Sequence, residues 1–342
     1  MRYRLLGTSG LRVAQLFLGT MTFGAGDGGA PVDECARMLD AYADAGGNVI
    51  DTAVNYAGGA SEEIVGQLLA GRRDRFVLAT KYTITRDGAD PNAAGSHRKN
   101  LRHSLETSLR RLRTDYVDLY WVHIWDPHTP IDETMRALDD QVRAGKILYI
   151  GISNAPAWVV SHANTLAELR GWSSFAGLQV PYSLLARGIE RELLPMAAAF
   201  GLSVAAWGPL AGGVLSGKFT SGAPPAGPTR VTAEAIGNRE RAVATLVTEV
   251  AAELGATPAQ VAIAWILSRC PALHPIVGAR RLDQLVDNLG ALAVELPAAL
   301  RERLDRDTAI DLGYPAAFIA DTASWVYGEA GRQVMGRTGS TP

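Results

Sequence analysis

Short apolar runs and longer amphipathic stretches alternate along the chain. Runs at residues 16–18, around Val49, Val77, Val117, Ile147, Leu178 and Val204, and at 274–277 are bounded by glycine or polar residues. Their length suits strands rather than helices. Stretches 33–45, 61–70, 96–111, 130–144, 156–169 and 189–200 carry helical spacing, and each leads into a strand. In the third, Leu101, Leu105, Leu109 and Leu112 keep the helical period and leave Arg102, Glu106 and Arg110 for solvent. Thr129 before Pro130, and Thr257 before Pro258 and Gln260, mark helix starts. Repeated strand–helix units imply parallel strands, and eight such strands predict closure into a (β/α)8 TIM barrel.

Departures from the repeat refine this picture. Residues 2–6 and 11–13, joined by a turn at 7–10, read as a β-hairpin that plugs the N-terminal end of the barrel. Two helices, about 239–254 and 257–269, precede the last strand, where one would suffice. The break at 221–228 reads as a mobile loop because the barrel pattern resumes after it. The prediction is one barrel domain over residues 1–342, with a disordered tail at about 337–342. Residues 193–217 carry no charge and imitate a membrane span. Pro195, Gly201, Gly208, Pro209, Gly212 and Gly213 divide that stretch into a helix end, a strand at 202–207 and a glycine loop. No continuous apolar helix of ~20 residues survives there.

Composition narrows the partners. A hydrophobic content of 47% supports a large core, and a net charge of −2 with mixed signs leaves no basic stripe for nucleic acid. Cys35 and Cys270 have no metal or redox spacing and fit a reducing compartment. Residues 1–7 lack the apolar core of a signal peptide. The expectation is a cytoplasmic protein without a membrane partner.

Polar residues at strand ends carry the chemistry. Asp51, Lys81 and His123 lie at or just past the C-terminal ends of three runs, and Tyr56 follows shortly after Asp51. In a β/α barrel those ends converge on the catalytic face. A lysine beside a tyrosine stabilises phenolate, and an aspartate keeps the lysine charged and in place. The other histidines do not cluster: His97, His103 and His162 fall on helices, His128 in a loop, and His274 opens a strand. No His-x-His or His-Glu-x-x-His occurs, so no metal site is expected.

No Gly-x-Gly-x-x-Gly joins a strand to a helix, which disfavours a Rossmann site. A dinucleotide would instead be held by barrel loops. Ser153, Asn154 and Gln179 can hydrogen-bond a nicotinamide carboxamide, and Trp207 offers a stacking face. Gly208, Pro209, Leu210 and Gly212 lie in a loop whose backbone can approach a pyrophosphate, with Lys218 nearby. Gln179 also reads as a surface or turn residue, and Lys218 also as an exposed loop charge.

The order and flanks of these motifs resemble the aldo-keto reductase superfamily, from about Tyr3 to about Arg306. Asp51-Thr52-Ala53 with Tyr56, Thr80-Lys81 and Val122-His123 carry the resemblance. Residues 19–23, 114–120 and 151–154 are most similar to the branch holding aryl-alcohol dehydrogenase-like reductases and potassium-channel β subunits. It implies NADPH-dependent reduction of an aldehyde or ketone by hydride transfer. Tyr56 would be the general acid, supported by Lys81 and Asp51, and His123 would orient and polarise the carbonyl. It further implies cofactor contacts at Gly19, Thr20, Met21, Val277, Gly278, Ala279, Arg280, Gln284 and Asn288. Gly278 and Ala279 replace the family's bridging lysine and serine, which makes Arg280 the candidate for a 2′-phosphate. A substrate pocket walled by Phe23, Tyr82 and Trp125, with Met21 and a C-terminal substrate loop, follows from the same resemblance. Phe318, Trp325 and Tyr327 fit that loop and plain tail packing equally well. The branch leaves two outputs open, a carbonyl reductase and a cofactor-binding regulatory subunit acting through protein association, and leaves homo-oligomerisation open too.

Overall fold

A computed structural model describes residues 1–24, 26, 28–220, 229 and 231–329. The hairpin strands are β1 (Tyr3–Leu5) and β2 (Arg12–Ala14), paired antiparallel. Eight further strands follow: β3 (Phe17–Gly19), β4 (Val49–Asp51), β5 (Val77–Tyr82), β6 (Val117–Val122), β7 (Ile147–Ser153), β8 (Phe175–Pro181), β9 (Ser203–Trp207) and β10 (Leu273–Val277). They close in chain order into a parallel barrel, with β10 pairing back to β3. The expected eight-stranded closure is what forms.

Helices surround the barrel: α1 (Val32–Asp44), α2 (Ala60–Leu68), α3 (Arg98–Leu112), α4 (Ile131–Arg143), α5 (Ala157–Arg170) and α6 (Leu193–Ala199). The two helices α7 (Asn238–Leu254) and α8 (Pro258–Arg269) stand before β10, as the pattern predicts. Thr257 and Gln260 form a reciprocal capping box at the start of α8. The helix expected from 189 begins at Leu193, preceded by a 3-10 turn at Gly188–Glu190. Pro195 thereby falls in the first turn, where its missing N–H leaves no bond unmade. α9 (Leu282–Gly290) follows β10. Three more, α10 (Ala298–Asp307), α11 (Ala316–Asp321) and α12 (Ala323–Tyr327), were not foreseen. The uncharged stretch 193–217 resolves into α6, β9 and a 3-10 turn. Among the described residues no single helix is long and apolar enough to cross a membrane. The break at 221–228 and the tail at 337–342 lie outside the described residues.

Two apolar layers hold the barrel. The outer one lies between strands and helices and includes Leu78, Tyr120, Leu101 and Leu105. The inner one fills the lumen with Phe17, Val49, Val77, Ala79, Leu119, Trp121, Ala205 and Ile276, and Leu6 and Val13 of the hairpin join it from below. The hairpin turn seats on the barrel rim: the Gly7 N–H donates to Ser203 Oγ at 2.8 Å, and a Cβ at Gly7 would stand 2.3 Å from the Ala176 carbonyl oxygen. The Trp121 ring reaches within the lumen to the next two strands, β7 and β8. A Cβ would come within 2.3 Å of its ring at Gly151 and 2.9 Å at Gly177, so both strands carry glycine where they face it.

Candidate active site

Strand alternation delivers the polar groups. In β5, Ala79 and Lys81 point into the lumen while Leu78 and Tyr82 point outward to the helices. Lys81 is wholly buried and faces Asp51 at the end of the adjacent β4. Its Nζ donates to Asp51 Oδ2, to the Thr52 carbonyl at 2.7 Å and to the Tyr56 hydroxyl at 3.2 Å. Burial alone would lower the basicity of this amine; the charges and hydrogen bonds of Asp51 and Tyr56 more than offset that and raise it above the usual lysine value. The site therefore holds a permanent ammonium against a phenol.

His123, just past β6, completes the cluster. Its ring meets that of Tyr56 edge to face at 5.9 Å. Burial, and then the Lys81 charge, lowers its pKa to about 3, so the imidazole is neutral at physiological pH. Its Nδ1 is buried with no hydrogen-bond partner among the described residues. The four residues picked out at strand ends are thus brought together.

The cofactor candidates line the same rim. Asn154 adopts a left-handed backbone (φ 51°) and is fixed by its side chain. Its Nδ2 donates to the His123 carbonyl at 2.9 Å and to Ser153 Oγ at 2.8 Å, and its Oδ1 accepts from Trp207 Nε1 at 3.3 Å. That bond holds the Trp207 indole in place with 42% of the residue exposed. Gly208 is left-handed with open space where a side chain would stand, and Gly212 and Gly213 are left-handed too, the latter against the Lys218 amine. Pro209 is buried and Leu210 half-buried beside them. A partly exposed ring, a fixed amide and a glycine-rich loop are groups that a nicotinamide and its pyrophosphate could use. At the end of β10, Gly278 packs on the Gly19 carbonyl, and Thr22 Oγ1 donates to the Ala279 carbonyl at 2.6 Å. The Arg280 guanidinium lies against Gly28, and its backbone N–H donates to Gln284 Oε1 at 3.1 Å. Val277 and Asn288 are buried beneath this end, and Met21 is half-exposed.

Tyr82, Phe23 and Thr20 depart from their expected roles, while Gln179 gains a partner. Tyr82 does not wall a pocket: it is buried on the outer face of β5, its ring stacked on Tyr120 at 5.2 Å. The alternation that aims Lys81 inward necessarily aims its neighbour outward. Phe23 is likewise enclosed in the outer apolar layer and offers no surface to a substrate. Thr20 is buried, and its hydroxyl is used on the Asp51 carbonyl and Ser61. Gln179 donates its amide to Asp51 Oδ1 at 3.0 Å, so it braces the aspartate. Trp125 does reach the rim, half-buried, with its ring edge-on to Trp158 at 5.6 Å. The tail aromatics Phe318 and Trp325 pack on each other and stay largely exposed. Among the described residues no three His, Cys, Asp or Glu side chains gather as a metal would require.

A closed parallel barrel with a buried Asp–Lys pair against a half-buried tyrosine, and a neutral histidine at its C-terminal rim, is the arrangement of a class of oxidoreductases. The aldo/keto reductase family model matches residues 15–306, and the chain belongs to that family. It is 38% identical to a norsolorinic acid reductase of Emericella nidulans, over 93% of this chain and 84% of that protein. An aryl-alcohol dehydrogenase of Pestalotiopsis microspora is 36% identical over 93% and 85%. A putative aryl-alcohol dehydrogenase of Saccharomyces cerevisiae is 34% identical over 94% and 90%. The protein is an oxidoreductase that reduces carbonyl compounds with a nicotinamide cofactor, and its substrates are small molecules.

Proposed function

We propose that the protein reduces an aromatic aldehyde or ketone to the alcohol with NADPH, Tyr56 acting as general acid. The observation that carries this reading is the buried Lys81 ammonium, which reaches Asp51 and the Tyr56 hydroxyl together. The nicotinamide, when bound, supplies the hydride. Tyr56 gives its hydroxyl proton to the carbonyl oxygen as negative charge develops there. Lys81 stabilises the phenolate left behind, while Asp51, itself held by Gln179, keeps the ammonium in place.

His123 orients the carbonyl. A buried N–H with no acceptor is costlier than a buried lone pair, so the single proton of the neutral ring belongs on Nε2, where it can donate to substrate. Ser153, Asn154, Trp207 and the glycine loop would hold the nicotinamide half. Arg280, ordered beside Gly28 and Gln284, would take the 2′-phosphate and select NADPH. The aromatic preference draws on the relatives named for aryl alcohols and on Trp125, two residues past His123 and edge-on to Trp158.

The test is Tyr56→Phe assayed by NADPH oxidation on a panel of aryl aldehydes and aliphatic carbonyls. Loss of a general acid typically lowers kcat by ~10²–10⁴. Cofactor affinity should hold. Near-native kcat in this variant would remove Tyr56 from the proton path.

A further inference from the structure

Tyr56 stands on a segment held against its own backbone preferences. Ala57 (φ 48°, ψ 40°), Gly58 (φ 65°) and Gly59 (φ 106°) are three successive left-handed residues. An alanine rarely stays in that region unless its surroundings impose it.

One guanidinium meets the segment on both sides of Tyr56. Arg111, from α3, donates from Nη1 to the Val54 carbonyl at 2.8 Å. Its plane also lies on Gly59, where a Cβ would stand 2.3 Å from Cζ. The same nitrogen reaches Glu62 Oε2 at 3.2 Å, and Glu62 is wholly buried at the start of α2. The other oxygen of Glu62 accepts from the Thr80 hydroxyl at 2.7 Å. Thr80 directly precedes Lys81, and the Val54 N–H donates to the Lys81 carbonyl at 3.1 Å. Besides the bonds of the Lys81 ammonium itself, the loop bearing the phenol and the strand bearing the ammonium are thus tied through backbone and through Thr80, Glu62 and Arg111. Burial raises the pKa of the Glu62 carboxyl; the hydroxyls of Ser108 and Thr80 and the Arg111 guanidinium oppose it only in part.

We propose that the Glu62–Arg111 pair is a positioning device that sets the Tyr56 hydroxyl against the Lys81 ammonium. It rests on the reading of Tyr56 as proton donor. A pair kept only for stability has no reason to reach both flanks of one catalytic residue. Isolated buried pairs are often neutral for stability when replaced together.

The experiment compares Arg111→Met, Arg111→Lys, Glu62→Gln and Tyr56→Phe in the full chain, with NADPH and benzaldehyde. Displacing a reacting group by about 1 Å can cost on the order of 10²-fold in rate. Arg111→Met is therefore expected to lower kcat by about ten- to a hundred-fold, with KM for NADPH nearly unchanged. It should also move the alkaline limb of the kcat–pH profile. Arg111→Lys, which keeps a charged donor, should recover most of the rate. Glu62→Gln preserves shape and one acceptor, so it decides the matter if Arg111→Met does not fold; it should lower kcat and move the same limb while the thermal midpoint stays close to wild type. A Glu62→Gln enzyme with wild-type kcat and pH profile would overturn the inference, even with Tyr56→Phe inactive. A fully active Tyr56→Phe would overturn the proton-donor reading and this inference with it.

Discussion

The proton-transfer cluster and the cofactor rim sit at the same end of the barrel and are built in opposite ways. Asp51 and Lys81 lie in strands, are buried, and have their charges matched within the lumen. Trp207, Met21 and the glycine loop stand partly open, held by loop geometry and a few hydrogen bonds. Reaction at a carbonyl needs charges fixed before substrate arrives. A large cofactor needs open faces and backbone it can approach. Rigid strand ends serve the first need and loops the second, so damage to the two regions should read out differently.

The largest separation is expected from Lys81→Met. It leaves Asp51 buried with Gln179 as its remaining side-chain partner, and unpairing a buried charge typically costs about 3–5 kcal/mol. Turnover should fall by ~10²–10⁴. Urea unfolding and NADPH oxidation would register the two losses separately, and a stable, active variant would refute the role given to the lysine. Because Lys81 helps depress His123, the imidazole in this variant should also titrate above about 3, visible by NMR.

Arg280→Ala probes the rim alone. Charge-assisted hydrogen bonds to a phosphate are worth ~1.5–3 kcal/mol, or roughly ten- to a hundred-fold in affinity. NADPH binding should weaken by that order while NADH binding holds. Equal loss of both would make Arg280 a support of its loop.

Gly151→Ala tests the floor beneath the cluster. Its Cβ would collide with Trp121, and overpacking of this kind costs about 1–3 kcal/mol. The folded fraction should keep its kcat. An unchanged urea midpoint would mean the indole has room to move.

The smallest effect at neutral pH comes from two buried histidines, whose contribution appears only on acidification. His123 and His274 are depressed to about 3 and about 4 from 6.5, both mainly by burial. Between those values the unfolded chain binds the extra protons, so stability is complete above about pH 6.5 and falls on acidification. Each histidine contributes a slope of at most ~1.4 kcal/mol per pH unit. His274→Asn should flatten the curve without touching turnover, and an identical curve would assign acid sensitivity elsewhere.

What the chain disclosed in advance follows the same division. Barrel order and the four strand-end residues were readable because short apolar runs end abruptly in polar groups, and closure can only bring such ends together. The bond from Gln179 to Asp51 was not readable, since it spans 128 residues and exists only once the barrel closes. Tyr82 was misassigned although the signal was present: a residue next to an inward lysine faces outward. Phe23 and Thr20 come to the site only through the family resemblance of residues 19–23, and packing absorbs them instead. α10 escaped because it carries few apolar positions, and α11 and α12 because 6 and 5 mostly apolar residues are too short to set a period.

Trp121 has one more consequence, for the order in which this barrel can change. Gly151 and Gly177 sit on neighbouring strands and both lean on one indole. Neither can gain a side chain while the tryptophan remains, yet shrinking the tryptophan first opens a void beside Lys81, its partner in register. Contacting substitutions are non-additive, so the three positions form a historical ratchet. A lineage that has settled on this arrangement can leave it only through a less stable intermediate, or by changing two residues at once.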